Sequence, residues 1–361
     1  MCAKLILKKG VVKIGNTAIK KRRPELSFLN TLFCLLVIFI HIISYMVYSF
    51  PVNTFKYNAL IFSWKGLTFV VQGFIMLSAC KFFLTKKDEV PYFKYIKIRL
   101  KSVAIPYVFA FIVYYIVFML RYDYKLDFWF IFKNFISGNL VYHLYFIPLI
   151  LQFDLLTPLW KKIIDKVCPV AAIPLFIVLT MLCQDYLPYI INKCFPDFTF
   201  LYNDRIVTTY LSFYIIGGYI GKNYDKFLNL LVKHKTKVFI IYLFITLVFS
   251  YFTYVNYNYI YTVSFYNNIH SLYVISALII LFLIAFKIAP FVMDKFKVLK
   301  DIDKASFYIY LWHVLTLYGA NYILEKFGII SDFLSFIIRI IIVYPVTIFL
   351  CILYFKKIKS K

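Results

Sequence analysis

Long apolar segments recur along the whole chain, and this recurrence restricts the fold more than any other feature. A helix needs about 20 apolar residues to cross the hydrocarbon core of a bilayer, and a lipid environment leaves no partner for unpaired backbone groups. The sequence therefore predicts an all-α, polytopic membrane protein with about ten transmembrane helices. The ten segments cover residues 27–50, 62–84, 102–120, 143–160, 169–187, 206–221, 238–255, 269–289, 306–324 and 333–354.

Composition indicates a single membrane domain. Hydrophobic residues make up 63% of the 361 residues, against about 45–50% in a soluble domain. No hydrophilic stretch is long enough to fold separately. We therefore expect one membrane domain over 27–355, a basic N-terminal segment over 1–26 and a basic tail over 356–361. No small-residue cleavage site follows the first apolar run, so we expect that helix to be retained.

Positive charge predicts the orientation. Of the 41 Lys and Arg residues, 32 fall in segments that share one side with the N-terminus, and eight fall on the other side. Lys and Arg are enriched in cytoplasmic loops, so both termini are expected in the cytoplasm of a multi-pass plasma-membrane protein. The same loops explain the net charge of +25 without a nucleic-acid partner. The bias toward Phe, Tyr, Ile and Lys is typical of an AT-rich bacterial genome.

Two histidines are candidate catalytic residues. His41 lies about 14 residues into the first helix, or roughly 20 Å from the inner surface. An ionisable residue at that depth marks a functional site, and imidazole suits proton transfer near neutral pH. A neutral histidine that packs against a neighbouring helix is the alternative. His313, early in the ninth helix, either lines the same cavity or supports a helix contact.

Basic residues before the third helix predict a cytoplasmic anion site. Arg99 can bind a phosphate through two parallel hydrogen bonds, and Lys101 adds a point charge. A donor such as acyl-coenzyme A carries several phosphates and needs such a site. The alternative is that both residues only follow the positive-inside rule. Asp154 and Arg339 are further intramembrane charges, and the sequence does not decide whether they pair.

Several site classes are absent from the sequence. There is no Ser-His-Asp arrangement and no His/Cys spacing for a metal, so we expect no metal. With only ten glycines and no phosphate-binding glycine loop, transport driven by nucleotide hydrolysis is not expected. His143, His234 and His270 are interpreted as surface or loop residues. Tyrosines of the outer loops fit either an interfacial belt or a surface that stacks on sugars.

Five short motifs, in a fixed order, resemble acyltransferase family 3, the multi-helix membrane O-acyltransferases. The resemblance covers nearly the whole chain. The motifs are Glu25-Leu26 before the helix of His41, Gly73-Phe74-Ile75-Met76-Leu77-Ser78, Arg99-Leu100-Lys101 with Ile105-Pro106-Tyr107, His143-Leu144-Tyr145-Phe146-Ile147-Pro148, and Ser306 to His313. The chain is most similar to members without a fused extracytoplasmic domain, of the intercellular adhesion protein C type.

The chain departs from the family pattern at three positions. Asn30 stands where the family usually has an arginine, so it can donate a hydrogen bond but supplies no charge. Ser102 occupies a position that is often basic, and Ala79 replaces a glycine.

The resemblance implies acyl transfer. An acetyl or succinyl group would move from cytoplasmic acyl-coenzyme A, a co-substrate and not a bound cofactor, to a hydroxyl of an exported or cell-surface polysaccharide. Arg99 and Lys101 would hold the donor phosphates, and His41 would be the general base. Glu25 or His313 would orient it.

Two alternatives remain open. The chain could export or flip a polysaccharide, although no inverted repeat is visible. It could also be a catalytically silent partner of the polysaccharide synthesis machinery, a hypothesis that rests on Asn30.

Overall fold

The computed structural model describes residues 23–85, 87–195, 200–329 and 332–359, and these residues form helices without any strand. Most of the predicted basic N-terminal segment lies outside the described residues. The α-helices are α1 (Pro24–Val47), α2 (Phe55–Leu67), α3 (Val70–Leu84), α4 (Tyr92–Arg99), α5 (Ile105–Tyr122), α6 (Phe128–Ser137), α7 (Phe146–Leu155), α8 (Thr157–Lys166), α9 (Pro169–Cys194), α10 (Leu211–Lys222), α11 (Tyr224–Lys233), α12 (Lys235–Tyr257), α13 (Tyr266–Lys295), α14 (Lys297–Lys326) and α15 (Asp332–Lys359).

Seven helical stretches in the described part of the chain are long and apolar enough to cross a membrane. Two of them join neighbouring helices, because α2 continues into α3 and a π-helical turn at Leu100–Ala104 connects α4 to α5. The all-α, multi-pass prediction is therefore confirmed. The stretches are Pro24–Val47, Phe55–Leu84, Tyr92–Tyr122, Pro169–Cys194, Lys235–Tyr257, Tyr266–Lys295 and Asp332–Lys357.

The predicted number of about ten spans is not confirmed. Segment 143–160 is divided between α7 and α8, and segment 206–221 folds into a short 3₁₀ turn and α10. With 12 residues, α10 is about 18 Å long, well short of the hydrocarbon thickness of roughly 30 Å. It is buried along its length because other helices surround it.

Helix α14 has the length of a membrane span but a more polar surface. Its 30 residues extend about 45 Å, and it carries Asp303, Ser306, His313 and Asn321. It packs along α1 on one side and α15 on the other. Among the helices long enough to cross a membrane, the least apolar is thus the one that brings these polar side chains into the bundle.

Two glycines bring α3 and α10 into backbone contact. A Cβ atom on Gly217 would collide with the main-chain carbonyl of Met76, and one on Gly221 would collide with that of Cys80. Glycines four residues apart lie on the same helix face, which is the usual way for membrane helices to approach this closely. This contact fixes α3, whose opposite side lines the cavity described below.

Candidate active site

Three histidines from separate parts of the chain meet in the middle of the bundle. His41 comes from α1, His313 from α14 and His143 from the turn before α7. The rings of His41 and His313 stack with centroids 5.2 Å apart, and the rings of His143 and His313 are 5.0 Å apart. The structure thus places His41 and His313 at one site, the alternative that the sequence left open.

The interpretation of His143 as a surface residue was wrong. Its side chain is only 2% exposed, close to the 1% of His313. The turns that precede α7 fold inward against α5 and α14, so a residue at the end of a polar loop is carried into the core. The only sequence signal for it was the motif His143 to Pro148.

Two imidazole nitrogens at this site are buried proton acceptors. His313 Nδ1 donates to the carbonyl of Tyr310 at 2.7 Å, and His143 Nε2 donates to that of Leu311 at 3.3 Å. A neutral imidazole carries one proton, so His313 Nε2 and His143 Nδ1 each keep a lone pair. Neither atom has a hydrogen-bond partner among the described residues.

Tyr114 shapes α14 next to the histidines. Its hydroxyl accepts from the Leu315 amide and donates to the Leu311 carbonyl, both at 2.9 Å. These are the two groups that an uninterrupted helix pairs with each other. A side chain inserted at such a point loosens the helix locally, and here the same Leu311 carbonyl also holds His143.

A cleft of about 350 Å³ lies at one end of the bundle. We call this end the basic end, because Arg23, Lys81 and Arg99 lie there. One of the lining residues is Tyr310, whose hydroxyl donates to the His143 carbonyl and whose ring centroid lies 5.5 Å from that of His143. The lining residues are Asn30, Phe74, Leu77, Ser78, Lys81, Arg99, Ser102, Val103, Phe146, Ile150, Ser306, Phe307 and Tyr310.

Arg99 is held in place at the mouth of the cleft. Its Nε donates to Asp154 at 2.7 Å, and the Tyr95 hydroxyl donates to the other carboxylate oxygen at 2.5 Å. Asp154 is nearly fully buried, so it fixes the guanidinium. Among the described residues, no hydrogen-bond acceptor is recorded for the terminal nitrogens of Arg99. Asp154 therefore pairs with Arg99, and not with Arg339.

A lysine that the sequence did not single out lines the cleft. Lys101 is exposed and does not line the cavity, whereas Lys81 at the end of α3 does. Residues two apart on a helix point in nearly opposite directions, so Arg99 and Lys101 do not share a face.

Asn30 lies in the cleft as part of an α1–α14 contact. Its amide donates to the Asp303 carboxylate and to the Ser306 hydroxyl, both at 2.8 Å. It therefore fixes the wall of the cleft and carries no charge of its own.

Glu25 is remote from His41. It accepts a hydrogen bond from the Tyr224 hydroxyl at 2.9 Å, at the basic end of α1. Sixteen residues of helix separate it from His41, which is about 24 Å. The structure does not bring these two side chains together, so Glu25 cannot orient His41 by direct contact.

No metal site is formed by the described residues. No group of three or more His, Cys, Asp or Glu side chains among them is arranged to hold a metal ion. The ring of Tyr142 is tilted against that of His41, with 4.8 Å between the ring centroids.

Comparisons with known proteins identify the family and two relatives. A family model described as an acyltransferase domain matches residues 23–356. Two relatives from Staphylococcus aureus, strains MSSA476 and MRSA252, each bear the name "Probable poly-beta-1,6-N-acetyl-D-glucosamine export protein". Each is 25% identical over 308 residues, which is 82% of this chain and 83% of the relative. No solved structure matches the chain.

Proposed function

The chain belongs to acyltransferase family 3, and from this premise we propose that it transfers an acyl group from acyl-coenzyme A to a hydroxyl of a polysaccharide. The acyl group is acetyl or succinyl, and the acceptor lies on the opposite side of the membrane from the donor. The basic end faces the cytoplasm, in line with the excess of Lys and Arg there.

The cleft is the observation that carries the proposal. Its lining includes two cationic side chains, Arg99 and Lys81, and also Tyr310, whose ring lies 5.5 Å from that of His143. Donor phosphates fit the cationic mouth, since guanidinium binds phosphate oxygens through two hydrogen bonds. The pantetheine arm then extends along the apolar walls, so that the thioester reaches the histidine cluster. Ligand pockets of this kind have volumes of about 300–1,000 Å³, and this cleft is within that range.

The histidines supply the base. His41 is partly exposed, and we assign it to the acceptor hydroxyl, from which it takes the proton as the oxygen attacks the thioester carbonyl. The C–S bond breaks, the new C–O bond forms, and the coenzyme A thiolate receives a proton in turn. His313 stacks on His41 and offers its Nε2 lone pair to the same proton. General-base catalysis of this kind contributes about 10²–10⁴-fold to a rate.

Transfer of radiolabel from acetyl- and succinyl-coenzyme A into surface glycan tests the proposal. Membranes with the wild-type protein should transfer label from one of the two donors, and membranes with His41→Ala should not. His234→Ala is the matched control, because this histidine is exposed at the end of α11 and distant in sequence from the cluster. Undiminished transfer by His41→Ala would refute the assigned base.

Export of a polysaccharide is a second candidate, favoured by the name of the relatives. Deletion of the chain separates the two functions. Loss of an exporter traps glycan inside the cell, whereas loss of an acyltransferase leaves normal export of an unmodified glycan. A silent partner of the synthesis machinery predicts a third pattern, in which deletion has an effect and His41→Ala has none.

A further inference from the structure

Arg339 differs from every other arginine that the structure describes. Each of the others forms an ion pair with a carboxylate. Arg339 lies in the candidate span Asp332–Lys357, and no carboxylate of the described chain lies within 4 Å of it. An ionisable side chain inside a membrane span is expensive to bury and marks a functional site. The four paired arginines are Arg23 with Asp225, Arg99 with Asp154, Arg121 with Glu325 and Arg205 with Asp204.

The contacts of Arg339 turn it toward the bundle and away from lipid. Its Nε donates to Asn321 of α14 at 2.8 Å, and its guanidinium carbon lies 4.8 Å from the ring centroid of Tyr45 of α1. Both terminal nitrogens lack an acceptor among the described residues. A guanidinium has five N–H donors, so most of its donor capacity is unused.

Aromatic side chains connect Arg339 to the histidines. Tyr45 is one helical turn beyond His41, with its phenol close to that of Tyr142, and the ring of Tyr142 lies 4.8 Å from that of His41. Tyr45 is 38% exposed and Tyr142 is 42% exposed. Three helices and one turn thus bring two accessible phenol rings and a cation together, on the side of His41 away from the basic end.

We propose that Arg339, Tyr45 and Tyr142 bind a pyranose residue of the acceptor polysaccharide. The identity of this ligand rests on the function proposed above. The C–H faces of a sugar ring pack on tyrosine rings, and the guanidinium donates charge-assisted hydrogen bonds to hydroxyl and amide oxygens. A sugar held there presents a hydroxyl to His41 from the side opposite the donor cleft.

Direct binding tests the proposal without acyl transfer. Purified protein is placed in phosphatidylcholine nanodiscs, and a fluorescent pentamer of β-1,6-linked N-acetylglucosamine is titrated by anisotropy. Arg339→Gln should raise the Kd by about tenfold or more, as expected for hydrogen bonds from a charged group, and Arg339→Lys should raise it less. Arg121→Gln is the matched control: its guanidinium also lies on a tyrosine ring, but Glu325 pairs with it, so its Kd should stay within about twofold.

The outcomes separate this site from the proposed catalysis. Acyl-coenzyme A affinity and the melting temperature, both measured on each variant, should be unchanged by Arg339→Lys. If glycan binding depends on Arg339 but the protein transfers no label, the acceptor site is supported and the proposed acyltransferase activity is refuted. Absence of pentamer binding to the wild type, or equal Kd values for wild type and Arg339→Gln, would overturn the acceptor site and leave Arg339 as an anchor for lipid headgroups.

Discussion

At the scale of single residues, the sequence singled out some side chains of the candidate site and missed others. His41, His313 and Arg99 could be singled out because each places an ionisable group in or beside an apolar helix. His143 and Lys81 could not, because their positions depend on how a turn folds inward and on which side of α3 faces α4. A residue's neighbours in space are decided by packing between elements, which one-dimensional periodicity does not record.

Tyr114 permits a test of how the histidines are positioned. Tyr114→Phe removes the hydroxyl between the Leu315 amide and the Leu311 carbonyl, so α14 can close and shift the carbonyl that holds His143. We expect kcat for acyl transfer to fall about tenfold or more with little change in the KM for acyl-coenzyme A, as for a misplaced catalytic group. Steady-state kinetics in nanodiscs measures both constants.

The control for this substitution is Tyr107→Phe. It lies on the same helix, and its hydroxyl donates to the Phe135 carbonyl at 2.6 Å, away from α14. Tyr107→Phe loses one buried hydrogen bond and Tyr114→Phe loses two, each worth about 1 kcal/mol. An equal fall in kcat for the two would show that general destabilisation, and not histidine placement, is responsible.

Substitution of two lysines tests where the phosphates of acyl-coenzyme A bind, in the cleft or at the lysine that the sequence predicted. Lys81 lines the cleft and Lys101 does not. Because each change to Gln removes one positive charge, the two variants differ only in position. Lys81→Gln should raise the KM for acyl-coenzyme A several-fold, by roughly 1 kcal/mol of lost electrostatic attraction, while Lys101→Gln should leave it unchanged. The reverse result would place the phosphates outside this cleft.

At the scale of helices, hydropathy predicted the long spans and failed for the short ones. The segments that became α1, α9, α12, α13 and α15 stand alone in the sequence and are each long enough to cross a bilayer. The segments that became α7 and α10 are apolar because they are packed among other helices, and α8 is a short amphipathic helix with one exposed face. Burial in protein and burial in lipid select the same residues, so composition alone cannot separate the two.

The α3–α10 contact gives the prediction at this scale. Gly217→Ala adds a methyl group against the Met76 carbonyl, and a backbone carbonyl cannot rotate away as a side chain can. We expect a lower melting temperature and weaker acyl-coenzyme A binding, because α3 carries Lys81 and the wall of the cleft. Thermal unfolding in detergent and donor titration measure the two effects. Gly319→Ala is the control, since a methyl group there meets nothing within 4 Å, and a similar loss in both variants would argue against the contact.

At the scale of the whole molecule, the two proposed sites lie on opposite sides of the histidine cluster. The donor cleft opens at the basic end, and Arg339 lies beyond His41 on the other side. This arrangement joins a cytoplasmic donor to an external acceptor only if the basic end faces the cytoplasm. The charge distribution predicts this orientation, because Lys and Arg are retained on the cytoplasmic side during insertion.

Two native cysteines test that orientation. Cys168 immediately precedes α9 and Cys194 ends it, and both are exposed. The 26 residues of α9 span about 39 Å, more than the hydrocarbon thickness of roughly 30 Å, so the two thiols reach opposite surfaces. With the basic end inside, a membrane-impermeant maleimide added to intact cells should modify Cys194 and spare Cys168, as read by peptide mass mapping. Permeabilised cells should show both modified, and Cys194→Ser should abolish the signal in intact cells. Modification of Cys168 in intact cells would show that the protein has the opposite orientation. The cationic cleft would then face the side where acyl-coenzyme A is absent.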